Sequence, residues 1–69
     1  MINYEERMYL INLKLEFWRE RLKESNNSIV PLYAQGDQSK IDGNLLDINN
    51  YTSIISELEK EKSSLTNQG

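Results

Sequence analysis

Residues 4–22 read YEERMYLINLKLEFWRERL, and the positions of their large apolar side chains decide the fold. Tyr4, Met8, Ile11, Leu15, Trp18 and Leu22 follow one another at steps of four, three, four, three and four. At about 100° per residue they occupy roughly 80° of arc, a single narrow stripe of the kind that seats against another helix. Asn3 is placed to cap the helix, with Glu6 three residues on as in a capping box, and Glu5 and Glu6 suit the positive end of the helix dipole. Ile29 and Leu32 continue the stripe, so the helix is expected over residues 3–34. Asn26-Asn27-Ser28 weakens it and Pro31 interrupts it, which predicts a bend near 26–31. Ser28 can cap a restarted turn that would hold Pro31 where its missing N–H costs little.

Downstream, Gln35-Gly36-Asp37-Gln38 reads as a turn. Gly36 is a helix stop, and Asp37 or Ser39 is the next start. A second helix is expected over 39–65, with residues 66–69 as a polar tail. Ile41, Leu45, Ile48, Thr52 and Ile55 form one heptad row, and Tyr51, Leu58 and Leu65 the adjacent one. Gly43 and Asn44 together cost this helix about 1–2 kcal/mol in propensity. Two amphipathic helices joined by a short turn run antiparallel, so the expected fold is an all-α helical hairpin. The seven-residue spacing adds coiled-coil-like, left-handed supercoiling.

The chain has 69 residues and therefore forms one small unit. A chain of this size buries only about 60% of its unfolded surface, and a single core seldom supplies more than about 3–5 kcal/mol. There is no Cys and no His, which removes disulfides, the usual zinc ligands and the commonest general base. No cofactor is expected. Oligomerisation is then the available route to further stability.

The sequence also supplies a surface for it. Ile2, Tyr9, Leu10, Leu13 and Phe17 project away from the seam, whereas a helix in a two-helix hairpin has only one stripe to bury. The expected interface, with a second copy or another protein, is Tyr9, Leu10, Leu13 and Phe17, and two hairpins so joined would build an oligomeric helical bundle. The alternative is that residues 29–33 fold back over this face.

Other functions are less well supported. The net charge is −3 and the pI about 4.8, which disfavours nucleic-acid binding. Arg7, Lys14 and Arg21 share one helix face at seven-residue steps, but carboxylates are interleaved with them. Residues 1–35 carry five acidic and five basic side chains, and residues 36–69 six and three, so the whole surplus lies in the second half. Asp37, Asp42 and Asp47 rotate about 140° from one to the next and do not converge on a helix. Trp18 and Tyr51 are spaced as core aromatics, and no phosphate-binding glycine loop is present. Tyr33, Gln35 and Lys40 at the hairpin tip are the candidates for a small, nucleotide-like ligand held between subunits.

No apolar run approaches the roughly 18–20 residues of a membrane span, and no basic stretch followed by an apolar run marks a secretory signal. A cytoplasmic location is the default. Eight Asn and seven Ile against one Ala suggest the AT-rich coding common in phages and some bacteria. The expectation is a non-enzymatic, self-associating accessory protein that blocks or bridges a partner macromolecule. A ligand-sequestering oligomer and a structural subunit of a phage particle are the alternatives.

Overall fold

The computed structural model describes residues 3–68. Two helices, α1 (Tyr4–Gln35) and α2 (Gln38–Gln68), pack against each other as a hairpin. The result is a rod of 49 × 17 × 14 Å. Asn3 caps α1 in an extended conformation, its Oδ1 accepting a 2.8 Å hydrogen bond from the Glu6 N–H. At the far end Gly36 takes the left-handed conformation (φ 71°) and donates its N–H to the carbonyls of Leu32 and Tyr33. Asp37 follows at once as the cap of α2, accepting from the backbone N–H of Lys40 through Oδ1 and of Ile41 through its carbonyl. Chain reversal thus takes two residues, Gly36 and Asp37, each doing a job the other cannot: one supplies a positive φ, the other a side-chain acceptor.

Pro31 sits inside α1, which continues unbroken to Gln35. At about 1.5 Å per residue its 32 residues span most of the 49 Å long axis of the rod. The proline leaves the carbonyl of Asn27 without its helical donor, yet Asn27 and Pro31 both face solvent, where water replaces the lost bond. Ile29 and Leu32, half-buried on the opposite side, hold the segment to the seam. An interior proline costs a helix about 3 kcal/mol, and the packing of Ile29 and Leu32 works against that cost. Residues 29–33 are therefore part of the rod and do not fold back over the rest of α1.

The seam on α1 comprises Met8, Ile11, Leu15, Trp18, Leu22, Ser25, Ile29 and Leu32, all buried or half-buried, while Tyr4 at the open end is exposed. On α2 the inward positions are Ile41, Asn44, Ile48, Tyr51, Ile55, Leu58, Lys62 and Leu65, with Ile54 half-buried beside them. Two members of the heptad row expected from sequence, Leu45 and Thr52, are exposed instead. The three-residue step from Ile41 selects Asn44 over Leu45, because Asn44 Nδ2 donates to the Ser25 carbonyl at 2.9 Å. Thr52 turns its hydroxyl back to the carbonyl of Ile48. The seam is thus crossed by a polar rung, Ser25–Asn44. On one side of it lies the cluster of Ile11, Leu15, Ile55 and Leu58, with Trp18, Leu22, Ile54 and Leu65 packed around it. On the other side Ile41 is buried near the turn.

α2 also extends to Gln68, beyond the expected end at residue 65. No Gly or Pro intervenes before Gly69, which lies outside the described residues. Leu65 packs against the core cluster, and Thr66 Oγ1 donates to the Lys62 carbonyl. No helix among the described residues is long and apolar enough to cross a membrane.

The glycines offer a direct test of this backbone. A methyl group at Gly43 would meet nothing within 4 Å, and only Gly36 has positive φ among the described residues. Gly43→Ala should stabilise the chain by about 0.5–1 kcal/mol, and Gly36→Ala should destabilise it by about the same or more. Urea denaturation followed by circular dichroism reads both changes.

Candidate protein interface

Side chains on the outer face of α1 are held in place by the helix alone, and its register follows from the seam. Leu10, Leu13 and Phe17 repeat at three- and four-residue steps, so they stand in one row. On a wheel of about 100° per residue this row is centred roughly 145° from the seam, nearly opposite α2. Leu10 is 42% exposed, Leu13 44% and Phe17 53%, with Tyr9 more open still at the edge of the row. Among the described residues only Leu10 of these comes near α2, across a groove from Leu65. Ile2, which shares the sequence pattern, lies outside the described residues.

Phe17 connects this face to the core. Its ring meets Trp18 edge-on at 5.0 Å between centroids, and Trp18 in turn packs on Tyr51 of α2 at 5.6 Å. The Arg21 guanidinium lies over the Phe17 ring at 5.4 Å, a cation–π contact one helical turn on. The outer row is therefore ordered at its Phe17 end by neighbours on both sides.

Charged side chains frame the row. Arg7, Lys14 and Arg21 line one edge; Tyr9, Glu16 and Lys23 line the other; Glu6 and Glu20 close its ends. All are exposed. The ion pairs among the described residues are Arg19–Glu59 at 3.2 Å, which links the helices, and Lys60–Glu57 at 3.6 Å within α2. The basic edge borders a groove of about 560 Å³, where Arg7, Leu10 and Lys14 face Glu61, Ser64 and Leu65 across the open end of the hairpin. Apolar walls and charges of both signs line it.

The hairpin tip is arranged differently. Tyr33, Gln35 and Lys40 are all exposed. Tyr33 stands two heptads from Arg19, on the edge of the seam that holds Arg19 and Glu59. Lys40 stands three heptads from Glu61, on the opposite edge. No hydrogen bond or ion pair among the described residues joins the three side chains. No group of three Asp or Glu residues able to hold a metal ion occurs among the described residues. Spacing alone does not reveal the polar rung Ser25–Asn44, nor the exposure of Val30, Leu45 and Leu46 near the turn. Ser25 and Asn44 each stand three residues from a seam residue, Leu22 and Ile41, but Leu45 fits a heptad as well, so spacing leaves the rung undetermined.

Comparison with protein-family models, with curated proteins and with solved structures returned no match.

Inner and outer leucines of α1 should behave oppositely in the isolated chain. Leu15 is 1% exposed, and Leu15→Ala should cost about 2–5 kcal/mol. Leu13→Ala should change stability by no more than about 0.5 kcal/mol when the protein is dilute enough to be monomeric. Denaturant titrations of the two variants at the same low concentration check the contrast.

Proposed function

We propose that this hairpin is a non-enzymatic protein-interaction module that self-associates through the outer face of α1. It acts by occupying or bridging a surface of a partner macromolecule. The observation that carries the reading is the exposed row Leu10, Leu13 and Phe17 on a helix whose other stripe is already buried. An apolar row rimmed by charges has the anatomy of an interface centre with a polar rim. The thinness of the monomer core supports the same reading: its fully or nearly buried side chains are Ile11, Leu15, Ile41, Ile55 and Leu58. A rod with so little inside gains from covering a second stripe.

Sedimentation equilibrium over a wide concentration range tests self-association, and a discrete closed species is the expected result. Replacing Leu13 and Phe17 together by Ser should shift that species to monomer. Helix content measured by circular dichroism at high concentration should fall only slightly. A double variant much less stable than the wild-type chain when both are dilute enough to be monomeric would place the pair in the monomer's own structure and end the proposal.

A further inference from the structure

We infer that the second copy docks on α1 in parallel, with the two hairpin turns at the same end of the assembly. The inference rests on self-association through Leu10, Leu13 and Phe17 and adds its geometry. Treated as a seam of its own, this row has Arg7, Lys14 and Arg21 immediately along one edge and Tyr9, Glu16 and Lys23 along the other. The two edges differ in charge: α1 contributes only cations to the first, with Glu61 of α2 across the groove from Arg7 and Lys14.

Orientation decides which edges meet. In an antiparallel pair of helices each edge faces its own counterpart, whereas in a parallel pair each edge faces the opposite one, about five residues further along. Antiparallel docking therefore sets Arg7, Lys14 and Arg21 against the same three cations of the second copy, in any register that keeps the apolar rows in contact. Parallel docking sets Glu16 against Arg21 and Tyr9 against Lys14, twice by symmetry. The carboxylates that close the row do not discriminate. Glu6 and Glu20 meet one another's copies in one orientation and lie near each other in the other. Like charges in register disfavour a partner, and opposite charges select one.

Cations on this edge are available for that contact. None of Arg7, Lys14, Arg21 or Glu16 takes part in an ion pair among the described residues. Arg21 is already drawn over Phe17, which holds its guanidinium beside the apolar row. The angle of roughly 145° between row and seam places the two α1 helices back to back with each α2 outside. That arrangement is a row of four helices, more open than a square bundle.

Because the chain contains no Cys, single cysteine variants give an unambiguous readout. Parallel docking brings the two copies of position 20 together, so Glu20→Cys alone should form a disulfide-linked dimer under mild oxidation. Antiparallel docking separates those positions by about 15 Å or more, beyond disulfide reach. A mixture of Glu6→Cys and Glu20→Cys chains would then give the mixed dimer. A charge swap supplies the second arm. In the parallel pair Arg21→Glu should weaken association about three- to tenfold, and the double variant Glu16→Arg/Arg21→Glu should restore it. Loss of the Arg21–Phe17 contact alone would give no such rescue.

Tighter association of Arg21→Glu, absence of rescue, or mixed Glu6→Cys/Glu20→Cys dimers without the Glu20→Cys homodimer would each overturn the parallel arrangement and leave self-association standing. A wild-type chain that sediments as a monomer at every concentration would remove both.

Discussion

A two-residue reversal governs this molecule. Gly36 ends one helix in a conformation that side-chain-bearing residues rarely adopt, and Asp37 opens the next helix with its own carboxylate. With no slack in the connection, the register of α2 against α1 is set at the turn and carried the length of the rod. Each later rung inherits it: Ile41 near the turn, Asn44 on Ser25, Tyr51 on Trp18, Ile55 and Leu58 in the cluster with Ile11 and Leu15. A slip of one residue would rotate every member of one seam by about 100° and carry the Asn44 amide away from its acceptor.

That polar rung matters in a core this thin. An apolar seam tolerates sliding, since one leucine resembles the next; an amide that must find one carbonyl does not. Placing a hydrogen-bonded Asn at an inward position exchanges some apolar burial for a defined register, as it does in two-stranded coiled coils. Ser25 and Asn44 lie between the Ile41 end and the main cluster, so the polar rung divides the seam into two apolar stretches. In the larger stretch Trp18 and Tyr51 supply bulk where smaller residues would leave space between the helices.

Much of this architecture was legible in the residue spacing. The four-three repeat of α1 from Met8 to Leu22 makes it a helix with one buried stripe, and its continuation through Ile29 and Leu32 carries the helix past Pro31, with a bend expected near 26–31. The turn at Gly36 was equally plain, because glycine followed by aspartate between two amphipathic stretches has one economical conformation. The phase of α2 was harder to read. Leu45 and Thr52 fit a heptad as well as Asn44 and Tyr51 do, and hydrophobicity alone favours Leu45. Only the partner atom on α1, the Ser25 carbonyl, breaks the tie, and a tertiary acceptor is invisible in a linear pattern. The end of α2 is hidden for a related reason: Ser63, Ser64 and Thr66 look like a tail until Leu65 is seen packing on the core cluster. On the outer face, spacing located Leu10, Leu13 and Phe17 in one row. Arg21 capping the Phe17 ring emerged only from the folded geometry.

The hairpin also has a mechanical character that follows from its topology. Asn3 and Gln68 lie at the same end of a 49 Å rod, and the turn lies at the other. Tension between the two ends would load the rungs one at a time, as a zipper is loaded, beginning with Leu65 and its neighbours. Tension between the turn and either end would pull along the seam and strain all the rungs at once. The same set of contacts is therefore weak against one direction of pull and strong against the other, a directionality that two short helices gain from a connection too tight to let them turn.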